Sequence, residues 1–207
     1  MTAARVFLAM ILASGLTACA TAPVSNTPAR VELTNVVSTS AETPNVAAAP
    51  TTTTQKGWHV EDVRVWVPSD LKVSEANLYM PKADIVWRED PFGDRRAQVS
   101  AIIDDATTAA VAGLEGGEGV FIDIKVERFH ALTQKAHASI GGTHDISFSV
   151  TIRDANTEAE LVAPFPVHIV LKAPGGQKAI EAEMRGETQK VVISRGITET
   201  MRKYLGT

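Results

Sequence analysis

Residues 145–154 read DISFSVTIRD, and this stretch decides the fold class of the chain. Its apolar residues alternate strictly with polar ones, and they are Ile146, Phe148, Val150 and Ile152. Alternation with a period of two is typical of a β-strand that turns one side to a hydrophobic core. We therefore expect a sheet, whose other strands can be sought in the flanking sequence.

Two further alternating stretches flank this strand. Residues 120–130 alternate upstream, and residues 161–171 form a downstream stretch in which Pro164 and Pro166 indicate a sheet edge or a bulge. Because the connections are short, the three strands predict an antiparallel meander. Residues 59–67 and 83–87 are predicted as two more strands, which brings the sheet to about five.

Two segments have a helical period instead. Residues 95–114 follow a potential N-cap, Asp94, and carry one apolar stripe: Val99, Ile102, Ile103, Ala106, Ala110, Val111 and Leu114. A second helix is predicted from about Thr188 onward, despite Gly196 within it. The order of elements predicts an α+β fold, a two-layer sandwich in which a mostly antiparallel sheet of about five strands carries two helices packed on one face.

The N-terminus has the features of an export signal. Residues 6–16 form an apolar run of 11 residues after Arg5, too short to cross a bilayer, which needs about 20. Residues 16–19, LTAC, resemble the bacterial lipobox, in which the cysteine is acylated and becomes the first residue of the mature protein. Residues 1–18 are therefore predicted as a lipoprotein signal peptide and Cys19 as a lipidated, palmitate-bearing membrane anchor. The alternative is an ordinary signal peptide with Cys19 as an incidental thiol or a small buried apolar residue.

The segment after Cys19 predicts a tether. Residues 20–56 are rich in Thr, Ala, Ser, Asn and Pro, contain no aromatic residue and have no lasting apolar period. Such a composition cannot bury enough surface to offset its ordering entropy. We therefore expect residues 19–56 to be a lipidated, flexible tether and residues 57–207 to form a globular periplasmic domain.

Charge and cysteine content narrow the function classes. The chain has 20 basic and 24 acidic residues, a formal net charge of −4, and no run of three Lys or Arg. A nucleic-acid partner is therefore not expected. Cys19 is the one cysteine, which excludes a disulfide within the chain.

The histidines offer one possible ligand site. No two of the five are three or four residues apart, the spacing that places two ligands on adjacent turns of one helix face, and no Cys/His cluster exists, so neither a metal site nor a cofactor is predicted. If residues 134–136 form a hairpin turn, His130 and His144 approach each other across two strands, with Arg128 in the same apolar phase. These residues are either hydrogen-bonding residues at the end of the sheet or contacts for a ligand.

Catalytic patterns are not found. The adjacent Asp104 and Asp105 would point about 100° apart on a helix, and the glycines of residues 115–119 follow a helix instead of preceding one. No G-x-S-x-G motif occurs. We therefore expect a protein that is not an enzyme.

Residues 77–96, NLYMPKADIVWREDPFGDRR, combine aromatic and charged side chains. Tyr79, Trp87 and Phe92 belong to the residue types that are enriched at protein interfaces. The segment is either a structural loop packed over the sheet or an interaction loop.

Three stretches together resemble an uncharacterised lipoprotein family of alphaproteobacteria: residues 73–95 (VSEANLYMPKADIVWREDPFGDR), 126–136 (VERFHALTQKA) and 141–155 (GGTHDISFSVTIRDA). The resemblance implies a location in the cell envelope and carries no functional residues. The layout is also similar to small domains of periplasmic accessory lipoproteins, including subunits of lipid transporters and the first part of secretion-channel lipoproteins. Such a likeness concerns the fold, which does not fix function.

These observations predict a lipid-anchored, non-catalytic accessory protein of an envelope complex, held at the periplasmic face by acylated Cys19 and bound to an envelope protein. Ala20 after the cysteine favours the outer over the inner membrane. The alternative function is a carrier of a small ligand, namely a lipid, haem or peptidoglycan fragment, in a groove of the α+β domain.

Overall fold

Residues 57–207 are described by the structure, which is a computed structural model. The predicted signal peptide, Cys19 and the tether lie outside the described residues and stay predictions. Within residues 57–207, no helix has the length and apolarity needed to cross a bilayer.

The described residues form five strands and four helices. The strands are β1 (Trp58–Trp66), β2 (Ile85–Val86), β3 (Glu118–His130), β4 (Gly142–Asp154) and β5 (Glu160–Ala173). The helices are α1 (Arg95–Val111), α2 (Gln134–His137), α3 (Gln177–Met184) and α4 (Gln189–Leu205).

The sheet is mixed, open and mostly antiparallel. Its order is β1-β3-β4-β5, and the short β2 lies beside the end of β3. The meander β3-β4-β5 is antiparallel, as the alternating stretches predict, with Ile122 opposite Ile152 and Val150 opposite Phe165. β1 and β2 pair with β3 in parallel. The parallel pairing follows from α1, which lies in the crossover between these strands and β3.

The two long helices pack together, with α1 against β1 and α4 against β5. α1 begins at the predicted cap, since Asp94 accepts hydrogen bonds from the backbone nitrogens of Arg96 and Ala97. α4 is capped by Thr188, which accepts a hydrogen bond from the backbone nitrogen of Val191 at the predicted start of this helix. The prediction of two helices is incomplete, since α2 and α3 form as well. α2 has four residues, too few to show a helical period in the sequence.

The core lies between these helices and the sheet. Its largest fully buried side chains are Trp87, Phe129, Phe148, Ile85, Ile102, Ile103, Ile122, Ile124, Ile146, Ile152, Ile193 and Ile197. Gly196 has a packing role in α4, since a Cβ atom there would lie 2.7 Å from a methyl carbon of Leu171 on β5. The missing side chain lets α4 approach the sheet closely, which offsets the lower helix propensity of glycine.

Candidate functional site

The chain between β1 and α1, residues 67–94, holds three of the residues that the sequence singles out, Tyr79, Trp87 and Phe92, and we call it the connecting segment. It has little regular structure, and Arg95 fixes it from the first turn of α1. The Arg95 side chain is only 4 % exposed, and its Nε donates to Glu75 Oε1 at 2.6 Å. Its Nη1 donates to the carbonyl oxygens of Asp90 and Pro91 at 3.0 and 3.1 Å. Both halves of the segment are therefore tied to one buried guanidinium.

Glu75 forms ion pairs with two arginine side chains. Arg88 also donates to its carboxylate, at 2.6 Å. The hydrogen bond from Arg95, reinforced by the charges of both arginines, lowers the pKa of the Glu75 carboxyl, although its partial burial acts in the opposite direction. The carboxylate therefore stays ionised at neutral pH and holds the two arginines together.

Trp87, predicted as one of three loop residues, is fully buried in the core. Its ring packs edge-on against Phe129 with 5.7 Å between ring centres, and its Nε1 donates to Asp90 Oδ2 at 2.8 Å. Burial alone would raise the pKa of Asp90, but hydrogen bonds from Lys190 and Trp87 outweigh it and lower that pKa. Of the two alternatives, a structural loop residue or an interaction residue, Trp87 is therefore the structural one.

The other two predicted loop residues lie on the surface. Phe92 is 85 % exposed, and Tyr79 is exposed between Leu78 and Met80, which are exposed as well. We call Leu78, Tyr79, Met80 and Phe92 the apolar loop surface. Leu78 and Met80 were not singled out from the sequence, although two apolar residues within three positions of Pro81 and outside any strand pattern were a usable signal.

Hydrogen bonds hold the backbone under this surface in place. Thr133 Oγ1 donates to the carbonyl oxygen of Leu78 at 2.7 Å, and the backbone nitrogen of Lys135 donates to Asn77 Oδ1 at 2.7 Å. The Lys135 ammonium lies 4.5 Å from the centre of the Tyr79 ring. These contacts hold the part of the surface around Leu78 and Tyr79 in a defined conformation.

The predicted cluster of Arg128, His130 and His144 does not form, because a β-bulge interrupts β3. The register shifts between Val126 and Arg128, so Glu127 is an extra residue. Beyond it, His130 lies opposite Asp145, the neighbour of His144 on β4. Adjacent strand residues point to opposite sides of a sheet, so His130 and His144 lie on opposite faces.

Arg128 and His130 make structural contacts on the face away from the helices. Arg128 Nε donates to Asp145 Oδ2 at 2.7 Å, and His130 Nε2 lies 3.1 Å from the carbonyl oxygen of Pro81. Asp145 also bonds His168 at 2.8 Å. Burial raises the pKa of Asp145, but the bonds to His168 and Arg128 lower it by more.

His144 lies on the opposite, helix-covered face and is only 2 % exposed. Its Nδ1 and the Oε1 of Gln189 are buried without a hydrogen-bond partner in residues 57–207, and both residues line a cavity of about 20 Å³. That volume is sufficient for about one water molecule and too small for haem or a lipid. Burial lowers the pKa of His144 to about 4, so the ring is neutral at pH 7.

The described part of the chain holds no cluster suited to metal coordination. Among residues 57–207, no three His, Cys, Asp or Glu side chains lie close enough together to hold a metal ion.

Residues 58–207 match the model of a family of unknown function, DUF6778. The chain belongs to the DUF6778 family. The match includes all three stretches on which the resemblance to an uncharacterised family rests, and no curated protein matches the chain.

Three solved structures are distantly similar to this DUF6778 protein. A candidate lipoprotein from Caulobacter crescentus CB15 has 16% identity and a TM-score of 0.31, with 51% of this chain and 76% of that chain covered. XCC0632 from Xanthomonas campestris, a DUF330 protein, has 11% identity and a TM-score of 0.43, with 72% and 81% covered. A PelC variant that forms a dodecamer, from Paraburkholderia phytofirmans, has 12% identity and a TM-score of 0.33, with 72% and 87% covered. Likenesses of this extent transfer no function to DUF6778.

Proposed function

We propose that this DUF6778 protein is a lipid-anchored, non-catalytic binding protein of the cell envelope, which attaches a partner protein of an envelope complex through the apolar loop surface. The observation that carries the proposal is the exposure of four large apolar side chains on a segment that a buried arginine holds in place. Aromatic residues and Met are enriched in interfaces, and a fixed loop loses little entropy on binding.

The charged groups of the connecting segment support a role in binding over one in catalysis. Glu75 pairs with Arg88 and Arg95, and Asp90 pairs with Lys190 at 2.8 Å. Each carboxylate is saturated by contacts that hold the fold, and each has a lowered pKa, unsuited to general-base work near neutral pH.

The location in the envelope rests on the first 20 residues. The order Arg5, apolar run, LTAC supports acylation at Cys19 and attachment at the periplasmic face, and Ala20 favours the outer membrane. Two or more acyl chains give stable anchoring, so the proposed protein needs no membrane-spanning helix.

Photocrosslinking in native membranes tests the proposed interface. Met80 and Met184 are a matched pair, because they are 84 % and 83 % exposed and lie on the connecting segment and on α3. A photoreactive amino acid at position 80 of the full-length chain should yield one discrete adduct with an envelope protein, identified by mass spectrometry. The same residue at position 184 should not yield that adduct.

A second variant makes the crosslink specific. Tyr79→Ser should reduce the yield of the adduct at position 80 by about tenfold while leaving the fold intact, since Tyr79 is exposed and adjacent to Met80. An identical adduct pattern at positions 80 and 184, or an adduct unaffected by Tyr79→Ser, would reject the apolar loop surface as the interface.

A further inference from the structure

The sheet face that the helices leave uncovered carries a trough along its middle. On this face β4 presents three small hydroxyl side chains, Ser147, Ser149 and Thr151. Ser149 lies opposite Lys125 on β3, which lies opposite Trp66 on β1. The trough is lined by residues of β1, β3 and β4, and the short hydroxyl side chains of β4 form its floor beside the longer side chains of β1 and β3.

The trough has the size of a ligand site. Its volume is about 390 Å³, and its lining includes Arg64, Trp66, Asp123, Ser149, Thr151 and Arg153. Small-molecule sites are typically about 300–1,000 Å³. The trough and the apolar loop surface have no residue in common, so this inference does not depend on the proposed function.

The charges in one wall neutralise each other. Arg64 bonds both Asp123, at 3.0 Å, and Glu158, at 3.0 Å. Arg153 Nε donates to Asp123 Oδ2 at 2.9 Å. Two guanidinium groups thus face two carboxylates, so this wall has no net charge, while Lys125 adds one positive charge at the other end of the trough.

Trp66 supplies an apolar ring at the other end of the trough. It ends β1, is 59 % exposed, and has the ammonium of Lys125 5.4 Å from its ring centre. No group in residues 57–207 forms a hydrogen bond with the hydroxyls of Ser149 and Thr151. An exposed indole beside free hydroxyls matches the two surfaces of a sugar, whose ring has an apolar C–H side and a polar rim.

We propose that the trough binds a neutral oligosaccharide, with one sugar ring stacked on Trp66 and sugar hydroxyls bonded to Ser149, Thr151 and Asp123. A peptide is the less suitable occupant, because β4 is paired on both sides and its backbone cannot add another strand. A purely apolar ligand would leave the floor hydroxyls without partners.

Tryptophan fluorescence tests this proposal, because Trp58 and Trp87 are buried and Trp66 is the exposed tryptophan of residues 57–207. The full-length chain is purified in lauryldimethylamine oxide, which has no sugar head group. It is titrated with three neutral tetrasaccharides, built from β-1,4-linked N-acetylglucosamine, β-1,4-linked glucose and α-1,4-linked glucose. We expect saturable binding of at least one of them, with a Kd below about 10 mM.

Variants test whether the sugar binds at Trp66. Their affinities are measured by calorimetry, because the Trp66 variants lack the fluorophore. Trp66→Ala should weaken binding by about tenfold, Trp66→Phe by less, and Phe92→Ser not at all. Co-sedimentation of the protein with purified peptidoglycan sacculi then shows whether the bound glycan belongs to the cell wall. Co-sedimentation indicates a cell-wall glycan and its absence a soluble one, and either source supports the proposal.

Three outcomes would overturn the proposal. These are no saturable binding of any tetrasaccharide at about 10 mM, unchanged affinity in Trp66→Ala, or a membrane protein that crosslinks at position 66 and is not displaced by sugar. The last outcome would assign the trough to a protein partner.

Discussion

Two tryptophans with similar sequence surroundings lie in opposite environments. Trp66 ends β1 and is mostly exposed, whereas Trp87 follows β2 and has no exposed surface. Both follow a valine, in RVW and IVW, but alternation places Trp66 in the phase of Arg64, on the side of β1 away from Val63. Trp87 ends a continuous apolar run instead, and it packs against Phe129 in the core.

Stability measurements should separate a buried aromatic residue from an exposed one. Trp87→Ala is expected to lower the free energy of unfolding by about 3–5 kcal/mol, because it opens a cavity and leaves Asp90 without its indole donor. Phe92→Ala should change it by no more than about 0.5 kcal/mol. Urea denaturation followed by circular dichroism measures both, and equal losses would contradict the assigned environments.

His144 should make stability depend on pH. Its pKa is about 4 in the folded protein, against about 6.5 in the unfolded chain. As the pH falls below 6.5, His144 binds a proton in the unfolded chain, whereas in the folded protein it binds one only near pH 4. Stability is therefore present above pH 6.5 and lost across this window, by about 3 kcal/mol in total.

His144→Leu isolates this contribution. Between pH 7.5 and 5.0 the wild-type protein should lose about 2 kcal/mol more unfolding free energy than the variant. The carboxyls of Glu75, Asp90 and Asp145 have lowered pKa values, so their contributions fall away at more acidic pH. Urea unfolding at the two pH values gives the difference, and parallel losses in both proteins would refute the role of His144.

At the scale of elements, the hydrophobic period of the sequence predicted the type and position of the long strands and helices, because this information is local. The period of two identified β3, β4 and β5, and the period of 3.6 identified α1 and α4. The parallel direction of β1 has no local signal, because it depends on the path of α1. The bulge at Glu127 follows from Phe129, whose place in the core reverses the alternation after Val126. The predicted meeting of His130 and His144 was wrong for that reason.

The turn before β4 and the turn after β5 contact each other through two glycines, Gly141 and Gly175. A Cβ atom on Gly175 would lie 2.0 Å from the backbone nitrogen of Gly141, which itself has a φ of 71°. This contact brings the entry to β4 beside the entry to α3. Neither the distance nor the pairing of these glycines could be predicted from GG and PGG motifs alone.

Gly175→Ala should therefore be severely destabilising. The clash is with backbone atoms that no rotamer change can move, so we expect a loss of more than about 3 kcal/mol. Gly117→Ala is the matched control, because a Cβ atom at that position would have nothing within 4 Å of it. Thermal unfolding of both variants measures the effect; a Gly175→Ala protein as stable as the control would show that the two turns separate readily.

At the scale of the whole molecule, both long helices of residues 57–207 lie on one side of the sheet, and on the other side the connecting segment covers the end that carries Arg128 and His130. The connecting segment and the uncovered face therefore provide two surfaces that share no residue. Sequence reasoning recognised the first in part, through Tyr79 and Phe92. It missed the second, because Trp66, Ser149 and Thr151 are brought together from separate strands, which only the register of the sheet can reveal.

Attachment of the whole molecule to a membrane can be tested directly. Cells that express the full-length chain and receive radioactive palmitate should label it, and Cys19→Ser should abolish the label and move the protein to the soluble periplasmic fraction. Thr17→Ser, a change beside the cysteine that keeps it in place, should leave labelling intact. Equal labelling of the Cys19→Ser variant and the wild type would reject acylation at this position.

The parallel pairing of β1 with β3 has a mechanical consequence. β1 starts immediately after Gly57, whereas the apolar loop surface adjoins the opposite end of β3, where Thr133 holds Leu78. A pull between Gly57 and that surface acts along the axis of β1. It loads the eight paired positions of the β1–β3 ladder in shear, all at the same time, instead of peeling them apart singly. The predicted tether would therefore pull on this ladder in the direction in which the ladder resists force.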